Sequence, residues 1–203
     1  MGIPVLVLGE SGSGKSTSLR NFDIEEVGIF NVAGKPLPFK KKLNKVNNAG
    51  YGMILKILSD PKLKKYVIDD SQYLMAFESF DHAKETGYGK FTNMALNFKN
   101  LIDFVIRKTP DDVIVYFLHH TERTDDGRLK AKTLGKMLDN QLTVEGLFSI
   151  VLLCQAEGSE HYFVTNSDGT NPAKSPMEMF EMRIPNDLKE VDKAIREYWE
   201  IGG

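Results

Sequence analysis

Eight consecutive residues, Gly9-Glu10-Ser11-Gly12-Ser13-Gly14-Lys15-Ser16, fit the spacing G-x-x-x-x-G-K-[ST] without a mismatch. Each fixed position has a chemical reason. Gly9, Gly12 and Gly14 permit a tight backbone path whose N–H groups turn inward onto phosphate oxygens, where a side chain would obstruct. Lys15 is placed to reach the β- and γ-phosphates, and the Ser16 hydroxyl is the expected Mg²⁺ ligand. Thr17 to Phe22 then read as the opening of a helix whose N-terminal partial positive charge faces the anion. The cofactors expected from this stretch are a nucleoside triphosphate and Mg²⁺.

A second chemical element is Tyr66-Val67-Ile68-Asp69-Asp70, an apolar strand ending in acids. Such a strand brings a carboxylate up beside the loop, where Asp69 can hold Mg²⁺ directly or through water. Asp70 either polarises the attacking water or caps the helix that follows, since Asp suits both tasks. A third is the strand Val113 to Leu118, which runs into His119-His120-Thr121-Glu122. Ligands of open α/β sheets lie beyond the carboxyl ends of the strands, so His120 is a candidate sensor of the γ-phosphate and Glu122 a relay to the next loop. A two-histidine metal site is excluded, because neighbouring strand residues point to opposite faces. The fourth is the basic stretch from Arg123 to Met137, turned at Asp125-Asp126-Gly127. In an extended segment Lys130 and Lys132 share one side, with Lys136 a third candidate. These lysines either complete a neighbouring subunit's site, contact DNA phosphates, or stay solvated.

The elements that must position these groups alternate along the chain. Ile3 to Leu8 is the strand entering the glycine-rich loop, and Val27 to Ala33 is a second strand ended by Pro36 and Pro38. A helix is expected from about Met53 to Leu58, and others over Ser71–His82 and Phe91–Arg107. In the last of these Phe91, Met94, Ala95, Phe98, Leu101, Ile102 and Val105 recur at three and four, one apolar stripe for a sheet. Ser149 to Cys154 and His161 to Thr165 are further strands, and Pro185-Asn186-Asp187 starts a last helix over Leu188–Trp199. The fold class is therefore α/β, a three-layer nucleoside-triphosphatase architecture with a mostly parallel central sheet in one domain over residues 1–203.

Bulk properties narrow the function classes. With 41% hydrophobic and 27% charged residues the chain must fold, and no apolar run approaches the ~20 residues of a membrane span. A single cysteine excludes a disulfide framework, and the start shows no basic leader or cleavage site, so a cytoplasmic protein is expected. The net charge of −2 predicts no general affinity for nucleic acid. Yet Asn31 to Lys65 holds nine lysines against one acid, Asp60, which is either a solvated face or an anion-binding patch.

Taken together, the Gly9–Ser16 loop, the Asp69-Asp70 strand, His120-x-Glu122, the Lys130–Lys136 loop and the Thr165…Ala173-Lys174-Ser175-Pro176 tail resemble a known group. They are similar to the small phage-encoded ATP-binding proteins with a minimal RecA-like core, the single-strand annealing ATPases of phage recombination. That resemblance implies Mg²⁺-dependent ATP hydrolysis, binding of single-stranded DNA, assembly into a homo-oligomeric ring or filament, and work beside a single-strand binding protein in the host cytoplasm. It implies that the cofactor is held by Gly9, Glu10, Ser11, Gly12, Ser13, Gly14, Lys15, Ser16 and Thr17. One departure stands out. RecA-like enzymes carry a catalytic glutamate at the end of the strand after the loop helix, whereas Val32-Ala33-Gly34-Lys35 offers no acid. Either Asp70 takes that role, or hydrolysis is slow and ATP serves mainly as an assembly switch. The alternative is a small-molecule kinase with Arg123–Lys136 as its lid, although only six arginines are present and they are scattered. A GTP-dependent switch lacks its guanine-reading strand end, since Leu118-His119-His120 has no such pattern.

Overall fold

The computed structural model describes residues 1–85, 89–134 and 143–202. Its strands are β1 (Ile3–Gly9), β2 (Gly28–Asn31), β3 (Lys45–Asn47), β4 (Lys65–Asp69), β5 (Ile114–Arg123), β6 (Leu129–Ala131), β7 (Ile150–Glu157), β8 (Glu160–Val164) and β9 (Arg183–Pro185). They form one sheet in the order β3-β2-β4-β5-β1-β7-β8-β9, with β6 paired to the outer part of β5. The six strands from β3 to β7 run parallel, and β8, β9 and β6 are antiparallel additions. Buried on both faces, β1 and the Ile114–Leu118 half of β5 are almost uninterruptedly apolar, as parallel strands under helices must be.

Alternation along the strands sorts the core into two layers. Leu6, Leu8, Val115 and Phe117 face one side, where they meet helices α1 (Tyr51–Leu58), α2 (Gln72–Asp81) and α3 (Gly89–Lys108). The expected stripe of α3 is the buried one: Met94, Phe98, Leu101, Ile102 and Val105 are covered. Burying a side chain of this size contributes roughly 1.5–3 kcal/mol, which is enough to secure a helix whose outer face is polar. Val5, Val7, Ile114, Tyr116 and Leu118 face the other side, against Leu19, Phe22 and helix α4 (Leu188–Tyr198). Asp187 caps α4 by accepting from the Lys189 N–H at 3.0 Å. Its buried face is Leu188, Val191 and Ile195 together with Asp192, while Tyr198, expected on that face, is 43% exposed. Asp192 is 1% exposed and is held by the Tyr116 hydroxyl at 3.0 Å, the Arg196 guanidinium at 2.8 Å and the Lys65 ammonium at 3.3 Å.

Four elements depart from the sequence expectation. The helix expected over Thr17–Phe22 is a single 3-10 turn at Ser16–Leu19. The run Ser16-Thr17-Ser18 favours local side-chain bonds over helix propagation: the Ser18 hydroxyl donates to the Lys15 carbonyl at 2.5 Å, and the Arg20 guanidinium to the Thr17 carbonyl at 3.1 Å. Strands β3 and β9 have three residues each, too few for a visible period. The part of the basic stretch from Leu129 to Ala131 is the return strand of a β5–β6 hairpin, turned at Gly127 with φ +84°. Among the described residues no helix is long and apolar enough to cross a membrane.

Candidate functional site

The site lies at the carboxyl ends of β1, β4 and β5. β1 stops at Gly9, paired with His120 of β5, and the chain then turns through Gly12 at φ +83° and Gly14 at φ +102°. The loop is shaped from behind. The Ser13 carbonyl accepts from the Cys154 thiol at 3.0 Å and from His161 Nδ1 at 2.8 Å. The Gly14 carbonyl accepts from the Asn186 side-chain amide at 3.2 Å, and the Lys15 carbonyl from Ser18. In a planar trans peptide the N–H opposes the C=O, so anchoring these three carbonyls turns the N–H groups of Gly14, Lys15 and Ser16 the other way. Consecutive amides oriented together form an anion-binding concavity. Space enforces the glycines: a Cβ on Gly14 would sit 2.8 Å from His161, and one on Gly9 would sit 2.9 Å from the Cys154 carbonyl.

Lys15 is 5% exposed, and its ammonium donates to the Gly9 and Glu10 carbonyls at 2.8 and 2.9 Å. Burial lowers its pKa, opposed by nearby negative charge that includes Asp70 and Asp69. Ser16 donates to Asp69 Oδ1 at 2.8 Å, across 53 positions of sequence. Asp69 is 6% exposed, and burial raises its pKa against the Ser16 hydrogen bond. A hydroxyl and a carboxylate side by side are hard oxygen donors, suited to a cation that keeps several waters and takes its other ligands from phosphate. Among the described residues no cluster of three His, Cys, Asp or Glu side chains forms a self-sufficient metal site. The pair of hard oxygen donors fits a cation such as Mg²⁺ better than a soft transition metal.

Asp70 stands beside this pair in a left-handed conformation, φ +60°. Its carboxylate does not cap α2. It accepts from the Lys35 ammonium at 2.9 Å and from His120 Nε2 at 3.2 Å. Burial alone would raise its pKa, but the His120 and Lys35 bonds outweigh burial and hold it at about 2. His120 packs edge-on against Tyr73, ring centroids 5.8 Å apart. His119 points the opposite way and is fully buried. Its Nε2 donates to the Lys132 carbonyl at 2.8 Å, and its Nδ1 meets the Ser71 hydroxyl at 2.9 Å. Burial lowers its pKa to about 4, so it is neutral.

Glu122 and Lys130 face each other across the hairpin and pair at 3.0 Å. The exposed Lys132 follows β6, its backbone N–H bonded to the His120 carbonyl at 2.8 Å. Lys136 lies outside the described residues. Arg123 leans toward Glu10 at 3.8 Å, an exposed pair of little energetic consequence. Between this hairpin and the β7–β8 pair runs a groove of about 440 Å³, bordered by Glu10 to Ser13, Thr121, Leu129, Gln155 and Tyr162. The buried hydroxyls Ser13 Oγ and Thr121 Oγ1 have no hydrogen-bond partner there.

The structure thus brings Gly9–Thr17, Asp69, Asp70 and His120 together at one end of the sheet. Of the lysine-rich stretch, Lys41, Lys62, Lys64 and Lys65 are paired with acids, which makes them parts of dispersed ion pairs; only Lys35 reaches the site. Cys154, His161 and Asn186 were not anticipated as loop supports. Their contacts span 32 to 172 positions, and no local spacing signals them. Comparison with protein-family models and with curated proteins finds no match to this chain.

Proposed function

We propose that the chain binds ATP with Mg²⁺ on the Gly9–Ser16 loop and hydrolyses it slowly, as a RecA-like P-loop ATPase acting on single-stranded DNA in phage recombination. The observation that carries the nucleotide part is the Ser16–Asp69 contact of 2.8 Å beside the buried Lys15. Anchored amides, an ammonium and two oxygen donors meet there, which is the set a magnesium triphosphate requires. The strand order supports the same reading, because β5 separates the loop strand β1 from the acid-bearing β4, and the antiparallel pair closes the far edge.

Slow turnover follows from the scarcity of a dedicated base: the one acid beside Asp69 is engaged by His120 and Lys35 in the ligand-free site. Val32 to Lys35 supplies no second acid. ATP then acts chiefly as an assembly signal for a homo-oligomer, ring or filament, that pairs single strands beside a single-strand binding protein. His120 senses the γ-phosphate through its place on Asp70, and Glu122 passes the change into the hairpin through Lys130.

The test is ATP binding with and without Mg²⁺, ATPase with and without single-stranded DNA, and negative-stain imaging of each state. Asp69→Asn should lose Mg²⁺ dependence and slow turnover on the order of 10²-fold. Hydrolysis by Lys15→Ala at the parent rate would overturn the assignment. One observation favours a second reading, phosphoryl transfer to a small polar acceptor: a groove of about 440 Å³ lies beside the loop, lined by polar residues that include Glu10, Gln155 and Tyr162. In that case no ordered assembly forms on DNA, and phosphate is released only when an acceptor is absent.

A further inference from the structure

Among the described residues, Lys35 is the one lysine or arginine beside Asp69 and Asp70 that neither the loop motif nor the hairpin supplies. Its backbone is pinned, since the Lys35 carbonyl accepts from the Asn31 side-chain amide at 2.6 Å and from the Lys45 ammonium at 3.2 Å. The preceding Gly34 has φ +70°, and a Cβ there would lie 2.4 Å from Asn48 Oδ1, so the turn tolerates little displacement. The side chain beyond this fixed base is 59% exposed. Its ammonium sits 2.9 Å from Asp70 Oδ2 and 5.0 Å above the Tyr73 ring. It is near enough to Lys15 and Asp69 that each bears on the other's charge.

The arrangement places two ammonium groups on either side of the Asp69-Asp70 carboxylates. Lys15 is held by the loop carbonyls of Gly9 and Glu10, and the largely exposed Lys35 is held by Asp70. We propose that Lys35 is a triphosphate-reading residue acting within its own chain: it leaves Asp70 for an oxygen of the terminal phosphate, so the site discriminates nucleoside triphosphate from diphosphate. On leaving, the Lys35 ammonium moves from one anionic oxygen to another, and Asp70 keeps its His120 bond. A dianionic phosphate oxygen offers the ammonium a stronger, charge-assisted partner. A diphosphate ends short of that position and leaves Lys35 on Asp70.

This proposal rests on the nucleotide reading of the loop, and one set of titrations separates the two. The full-length parent, Lys35→Ala, Lys35→Arg and Lys15→Ala are titrated with a non-hydrolysable ATP analogue and with ADP, both with Mg²⁺. Expected for Lys35→Ala is a loss of analogue affinity of roughly 10- to 100-fold with ADP affinity held within about twofold, and recovery of most of the loss in Lys35→Arg. The defect should not change with protein concentration and should not be complemented by added Lys15→Ala protein, because the residue serves its own site. Equal losses for both nucleotides, or no loss for either, overturn the proposal while a parent that binds both leaves the loop assignment standing. A parent that binds neither overturns the loop assignment, and the role of Lys35 with it.

Discussion

Acidification provides a direct measure of what the burial of His119 costs. The imidazole is fully buried between Ser71 and the Lys132 carbonyl, and its pKa falls from 6.5 to about 4. The cause is the expense of placing a charged ring where water cannot reach it. Between those two values the unfolded chain takes up a proton that the folded chain refuses. The stability linked to His119 is therefore complete above about pH 6.5 and is lost progressively as the pH falls toward 4. Lowering the pH from about 7.5 to about 5 should remove about 2 kcal/mol through this one group. The assay is urea unfolding at stepped pH, compared with His119→Gln, which keeps an amide for the Lys132 carbonyl and has nothing to titrate. At neutral pH the variant should be less stable by roughly 1–2 kcal/mol, through a lost hydrogen bond and poorer packing. At about pH 5 the gap should close or invert. The comparison cancels the other histidines, including His82, whose bond to Glu85 raises its pKa and pushes stability the opposite way. A gap that stays constant with pH would refute the argument.

Gly14→Ala should cost roughly 1–2 kcal/mol and abolish nucleotide binding, since it combines φ +102° with a Cβ 2.8 Å from His161; adding His161→Ala should recover part of the stability and none of the binding, as measured by melting temperature and titration. Asp192→Ala should destabilise the fold by about 3–5 kcal/mol in urea unfolding without touching the site, because it leaves Arg196, Lys65 and Tyr116 facing a removed charge. For Lys130 and Lys132, the Lys130→Ala/Lys132→Ala double variant should be complemented by Lys15→Ala protein if these lysines complete a neighbour's site. ATPase activity in the mixture no greater than the sum of its parts would leave them as surface or DNA-facing charge.

Legibility followed the distance over which each decision is made. The Gly9–Ser16 loop, the Asp69 strand and the α3 stripe depend on neighbours within a few residues, and all were readable. The 2.8 Å contact of Ser16 with Asp69 brings together the two residues that the sequence names as candidate Mg²⁺ ligands. What could not be read is settled by the sheet. Lys35 belonged to a lysine-rich run with no distinguishing mark until β2 and β4 paired and set it against Asp70. Lys130 looked free until the β5–β6 register placed it opposite Glu122. His119 and His120 were correctly separated to two faces by strand alternation, but no pattern foretold that the unregarded one would bridge α2 to the segment after β6. The single 3-10 turn after the loop reflects competition between hydroxyl side chains and backbone, which a helix-period reading ignores.

The thiol behind the loop has a consequence of a kinetic kind. Cys154 is the chain's only cysteine, is 2% exposed, and is raised by burial to a pKa of about 11, so in the closed arrangement it is inert to alkylating reagents. Its sulfur is bonded to the Ser13 carbonyl and to Asn186, and a reagent reaches it only when those bonds open. The native protein therefore contains a built-in clock. Under conditions where closing outruns chemistry, the labelling rate divided by that of a free thiol gives the equilibrium constant for the loop letting go of its support. A ligand seated on the amides of Gly14, Lys15 and Ser16 must slow that clock in proportion to its occupancy, with no label, tag or substitution added to the chain.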